Sequence, residues 1–192
     1  MEQAPQLAAP GAGLPLPELL IGRVMFFLYR HRGGRESHAD LFRHERDAIL
    51  ELVAACPPAA RGERVLIERL RGLEDSSRHW SVWMTLDHLR ICNEAFGSVI
   101  QALAAGSPPA EKASTAAVKP SPRAGADCEE SFRRSCDDFL AVAAAVPDLR
   151  TRARYEHPWF GAMDAAAWHA LNGLHLRIHH RQIARITDGL RG

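Results

Sequence analysis

Apolar side chains recur along this chain at helical spacing. The longest such stretch, Trp80 to Ala105, carries two neighbouring apolar rows: Val82, Leu86, Leu89, Phe96 and Leu103 on one, and Met84, His88, Ile91, Cys92, Ala95 and Val99 on the next. Rows that cover so much of a helix's girth predict a central position in a bundle. Upstream, the pattern predicts a short apolar helix over about Pro17 to Tyr29, which Gly33 and Gly34 separate from a second helix over about Ser37 to Ala55. That second helix is expected to bury Leu41, Ile49, Leu52 and Val53, and Cys56-Pro57-Pro58 ends it, because proline cannot continue a helical hydrogen-bond ladder. Arg61 to Leu73 reads as a helical turn or two, and Asp75, Ser76 and Ser77 offer N-caps to the long helix. Downstream, Asp127 to Val146 should bury Phe132, Cys136, Phe139, Leu140 and Val142 and stop at Pro147, and Asp164 caps a last helix running to about Thr187. No segment alternates with period two, so the expected fold is all-α, with no strands.

Between the helices the composition changes. Residues 1–13, rich in Ala, Pro and Gly, have little to bury and read as a disordered tail. Residues 106–126 are Pro, Ser, Ala and Lys with almost no large apolar side chain, and read as a flexible linker forming a long crossover. A chain of 192 residues, 46% apolar, builds one sizeable core. Residues 14–190 are therefore expected to form a single domain with that linker inside it.

Charge narrows the partners. The formal net charge is +1, so no global field recruits nucleic acid or an anionic membrane. The apolar run Leu14 to Leu28 is interrupted by Glu18 and Arg23, has no basic segment before it and is followed by Arg30, His31 and Arg32. It fits neither a cleavable leader nor a bilayer span. The four cysteines, Cys56, Cys92, Cys128 and Cys136, form no CxxC pair, which fits reduced thiols in a cytoplasmic protein.

The candidate chemistry lies in three histidines. His175 and His179 are four residues apart, about 400° around a helix, so both project from one face within a turn of each other. Trp168, Leu171, Leu174, Ile178 and Ile186 lie on or beside that stripe and turn the pair inward, whereas His180 points elsewhere. A third ligand has to come from another element, and His88, amid the apolar rows of the central helix, is the candidate. Three neutral nitrogens suit zinc, nickel, cobalt, copper, manganese or ferrous iron, and suit magnesium or calcium poorly. Each histidine also has the plainer reading of a hydrogen-bonded core residue, since HxxxH arises by chance in a chain with 10 histidines.

The last third of the chain resembles a known family. His157-Pro158-Trp159-Phe160-Gly161, then Trp168, then His175 through His179, His180, Gln182 and Ile183 resemble the closing signature of the DinB/YfiT-like metalloenzyme superfamily, and Trp80 to Leu89, with His88 in Asp-His-Leu, resembles its second-helix motif. The likeness is close over residues 78–105 and 155–187 and is one of helix order elsewhere. It implies a four-helix bundle with a long crossover, frequently dimeric, and a divalent transition metal, zinc or nickel first, on the residues matching His88, His175 and His179. Characterised members of the superfamily include thiol-cofactor-dependent transferases and isomerases. The Pro-rich connection and a short extra N-terminal helix are not matched by the family pattern.

Other residues have plainer readings. Cys92, one turn beyond His88, is read as a packed thiol, and Gln182, three residues after His179, either as a partner that orients a ligand or as a helix-packing residue. His157 is read as positioning Pro158 and Trp159, Glu156 as a loop neighbour, and His79 and Asp87 as solvated. Arg150, Arg152 and Arg154 are read as an exposed loop. No GxSxG, P-loop or dinucleotide fingerprint is present. The expected function is a metal-dependent transferase or hydrolase that activates water or a low-molecular-weight thiol. The alternative is a non-catalytic bundle with a structural or vestigial metal, acting in ligand binding or a stress response.

Overall fold

A computed structural model describes residues 5–191. Five helices make up most of it: α1 (Leu16–Arg32), α2 (Arg35–Ala55), α3 (Val82–Ala104), α4 (Asp127–Ala145) and α5 (Ala165–Gly189). Helices α2 to α5 form a four-helix bundle, with α1 laid outside against α5. Contacts between named side chains fix the helix directions. His38, Gly173's neighbours Leu41 and Phe42, and Glu45 meet His169, Gly173 and Arg177 in register, so α2 and α5 run parallel. His88 faces His175 and His179 while Phe96 faces Trp168, so α3 runs antiparallel to α5. Trp83 reaches Glu129 and Asn93 reaches Ser135, so α3 and α4 run parallel. Two parallel helices joined directly need a connection that returns the length of the bundle, and residues 106–126 are that crossover.

The helices bury what their spacing dictates. In α3, Val82, Leu86, Leu89 and Ile100 are fully buried, with Leu103 nearly so, and the helix is the most enclosed of the five. Two caps are explicit: the Ser81 hydroxyl accepts the Met84 N–H at 3.1 Å, and the Asp164 carboxylate accepts the Ala167 N–H at 2.9 Å. In α2, Ile49 and Val53 are buried as expected and Phe42 with them, while Leu41 and Leu52 are only half-buried at the edge of the stripe. Leu140 and Val142 of α4 likewise lie at the edge of a core built on Phe132, Cys136 and Phe139. Phe139 sits 4.8 Å from Phe42 and stacks on His169.

Three expectations are corrected. Residues 61–73 are not helical: Val65–Leu66 form β1, which pairs antiparallel with β2 (His79–Trp80). A second antiparallel pair, β3 (Tyr155–His157) with β4 (Gly161–Met163), makes a hairpin ahead of α5. These strands are two and three residues long, too short for a period of two to register in the sequence, and they are held by backbone pairing together with buried Trp80 and Met163. Asp75, Ser76 and Ser77 do not cap α3. They form a 3-10 turn, and β2 intervenes before Ser81. Of the N-terminal tail, residues 1–4 lie outside the described residues. Residues 5–13 have no helix or strand, and the Ala8 N–H donates to Asp75 at 2.7 Å.

Helices α2 and α5 approach closely at Gly173, where an added Cβ would lie 3.2 Å from Leu41 and 3.3 Å from the Phe42 backbone nitrogen. Gly173→Val, whose extra methyls have no room, is expected to destabilise by about 1–3 kcal/mol. A lowered urea midpoint without loss of helical circular dichroism would show it, and an unchanged midpoint would exclude the close approach.

Candidate metal centre

Helices α3 and α5 cross where their buried faces carry imidazoles. His88 and His175 face each other with 3.2 Å between their Nε2 atoms. The His179 ring centroid lies 4.6 Å from each of the other two. His88 and His179 are buried, and His175 is partly so. The rings are walled by aromatic surface: Trp80 stacks on His179 with 7° between planes and lies 5.1 Å from His88, while Phe96 lies 5.8 Å from His175.

The outward nitrogens decide which way the lone pairs point. His88 Nδ1 lies 2.6 Å from the Val118 carbonyl, which can only accept, so Nδ1 carries the proton and Nε2 is the free base. His179 Nδ1 lies 2.6 Å from Gln182 Oε1. The Gln182 amide is oriented in turn by donating from Nε2 to the Ser77 carbonyl at 2.7 Å, which leaves its oxygen for the histidine. His179 therefore also holds its proton on Nδ1 and leaves Nε2 free. His175 Nδ1 is buried without a hydrogen-bond partner.

Burial holds these rings neutral. It lowers His88 to about 4, and lowers His175 and His179 well below the usual imidazole range, with the neighbouring imidazoles adding to the effect. Neutral imidazoles are the donors that a borderline transition metal takes, and the ligand atoms that gather within 4.8 Å of one another come from His88, His175 and Cys92, with the His179 ring beside them. The spacing fits as well: two nitrogens each about 2.0–2.1 Å from a tetrahedral ion stand about 3.3 Å apart.

Cys92 approaches more closely than its reading as a packing thiol suggests. Its Sγ is 3.7 Å from His88 Nε2, and ligand atoms of His88, Cys92 and His175 all lie within 4.8 Å of one another. Burial pushes the thiol's pKa upward, outweighing the opposite pull of Lys119, so Cys92 is protonated. His157 does not join the three. It packs on Phe160 and Trp168, and its Nδ1 accepts the Trp159 N–H at 3.1 Å. His180 turns to Glu45, which it meets at 2.8 Å beside Arg177. Glu156, Arg150, Arg152 and Arg154 are exposed.

The linker crosses over the imidazoles. Besides the Val118 carbonyl, it brings Lys119 to 5.4 Å from the Trp80 ring and 2.8 Å from Glu74. Burial alone would raise Glu74, but hydrogen bonds from Lys119 and Thr115 outweigh it and keep the carboxylate ionised. Asp87, expected at a solvated position, is buried and accepts the Ser121 N–H at 2.8 Å. Sequence reasoning missed the roles of Val118, Lys119, Glu74 and Asp87. A carbonyl has no side-chain signature, but Lys119 is one of two lysines in the chain, a signal that was present.

The DinB superfamily profile matches residues 26–183, which takes in α2 to α4, most of α5 and all three histidines. The chain belongs to the DinB superfamily. The bundle is similar to the crystal structure of TT2238, a four-helix bundle protein, with a TM-score of 0.54 and 18% identity over 77% of this chain and 96% of that one. At that identity the likeness concerns the fold alone. A comparison with curated proteins gave no match. Within this DinB-superfamily bundle the extra helix α1 lies mostly ahead of the matched residues.

The same burial sets a pH dependence. His88, His157 and His169 are all lowered to about 4 by burial, whereas in the unfolded chain they take up protons near 6.5. Between those values the unfolded state binds more protons, so stability is complete above about pH 6.5 and falls as pH drops toward 4. For metal-free protein the urea midpoint is expected to be flat from pH 7 to 8 and to fall steeply below about 6.5. His169→Leu should remove about one proton from that slope. A midpoint independent of pH over this range would contradict the buried neutral state.

Proposed function

We propose that this DinB-superfamily protein is a metal-dependent transferase or hydrolase acting with a low-molecular-weight thiol or water. His88, His175 and His179 hold one divalent transition metal, zinc or nickel first. The observation that carries the reading is the pair of protons fixed outward, on His88 by Val118 and on His179 by Gln182, with the freed Nε2 of His88 facing His175 at 3.2 Å and the His179 ring packed beside both. When bound, the metal supplies Lewis acidity, lowering the pKa of a water or thiol and polarising a carbonyl.

The chain's own residues do the rest. Gln182 and the Val118 carbonyl fix ring orientation and tautomer, as partners of ligating histidines do. Trp80, Phe96 and the linker exclude bulk water, which strengthens electrostatic interactions within. The Lys119 ammonium beside Trp80 donates to Glu74, Ser76 and Ser77 and so pins the linker over the imidazoles. The four unpaired cysteines suit a reducing compartment, with the cytoplasm as the proposed location, and among the described residues no helix is long and apolar enough to cross a membrane.

A second reading, a structural metal in a non-catalytic bundle, draws on the same enclosure, since Val118 and Lys119 are partly buried over the rings. Metal analysis comes first. Purified protein is expected to carry about one transition-metal ion per chain, His175→Ala to lose it, and Gln182→Ala to keep its fold while binding metal about 10–100-fold more weakly. A His175→Ala protein with undiminished metal would overturn the site. Metal-loaded protein assayed with a panel of thiols and electrophiles should then show thiol-dependent turnover that Lys119→Ala weakens. Full metal occupancy without turnover on any pair would leave the structural reading in place.

A further inference from the structure

Helix α1 shows solvent the kind of face that a surface helix ordinarily buries. Leu16, Leu20, Ile21, Val24, Met25 and Phe27 are 55–74% exposed, and Leu28 is 39% exposed. Some polar side chains of the helix tie it to the body, while Arg23, His31 and Arg32 stay exposed. Glu18 pairs with Arg69 and accepts the Gly72 N–H, Arg23 donates to the Trp159 carbonyl at 2.6 Å, and Tyr29 packs on His38. One apolar anchor, Phe26, is buried 4.8 Å from the Phe160 ring. These contacts, spread along the helix, fix its rotation, so the apolar arc facing outward belongs to the fold. At 100° per residue the exposed side chains form one half of the helix, and no carboxylate lies among them.

The size of this face indicates what covers it. Seven large side chains on a helix about 25 Å long make a patch of several hundred Å². That is at or above the about 300–600 Å² of the largest apolar patch on an ordinary monomer and approaches the about 800 Å² per partner of a stable dimer. The face is also self-complementary. Val24 is the midpoint of Leu16–Arg32, so a two-fold axis there sets Leu20 of one copy opposite Leu28 of the other, and Ile21 opposite Phe27. A parallel pairing would stack Arg30, His31 and Arg32 of both copies together, whereas an antiparallel one holds the two basic ends a helix length apart. A membrane surface fits less well, because the formal charge is +1 and the basic side chains cluster at one end of the helix.

We propose that α1 is a self-association surface on which a second copy of this chain lays its own α1 antiparallel, crossing at Val24. The surface lies mostly ahead of the residues matched by the family, which begin at Phe26. The proposal is independent of the metal reading.

The test uses the full chain. Light scattering at micromolar concentration is expected to give twice the 21.2 kDa of one chain. L20E/L28E should run as a monomer, its dissociation constant raised at least 100-fold, with unchanged helical circular dichroism. Because the four native cysteines are buried, V24C should cross-link rapidly to a covalent dimer on mild oxidation while L16C does not. A wild-type monomer overturns the proposal, as does a dimer that survives in folded L20E/L28E. A wild-type protein that stays monomeric and co-sediments with phosphatidylglycerol vesicles assigns the face to a membrane. L16C cross-linking faster than V24C rules out the antiparallel crossing.

Discussion

Imidazoles buried between two apolar helices impose one requirement on everything around them: each must stay uncharged, and each outward nitrogen needs a partner. Helix α5 meets half of it internally, since Gln182 lies one turn beyond His179 and bonds it. The rest has to come from outside the bundle's regular surfaces. The turn before β2 supplies the Ser77 carbonyl that orients Gln182, and the crossover supplies the Val118 carbonyl for His88. His175 Nδ1, buried and unpartnered, is where the requirement goes unmet.

The topology explains why the crossover is available for this task. Since α3 and α4 run parallel, the chain must return from the end of α3 to the level of its start, and the imidazoles lie near that start. Once there, it is held by groups that burial would otherwise penalise. Asp87 accepts the Ser121 N–H, and Glu74 gathers Lys119 and Thr115. A segment with almost no large apolar side chains is thus placed by charge and backbone hydrogen bonds, where the helices are placed by packing.

The helices were legible because the 3.6-residue period repeats over many turns in α2 to α5. Errors in the buried sets lie at the edges of the stripes: Ile49 and Val53 are buried as expected, and Phe42 is buried beside a Leu41 that is only half-buried. The short strands were not legible, since two or three residues carry no period. Nor was the environment of the histidines. The spacing of His175 and His179 puts them on one face, but the elements that close over them bring backbone carbonyls and a lysine from a stretch whose composition looks like a spacer. Asp87 was misread for the same reason: the crossover that buries it cannot be inferred from helix periodicity.

The crossover also carries a chemical distinction. Lys112 and Lys119 are the chain's only lysines, and both lie in it, Lys112 exposed and Lys119 tucked against Glu74 and Trp80. Every side-chain amine of the molecule is therefore in the one segment that roofs the histidines. Acylation of lysines, by a metabolite or a reagent, would fall on this roof and leave the four-helix body untouched, with Lys112 reacting as a free amine and Lys119 reporting whether the roof is seated.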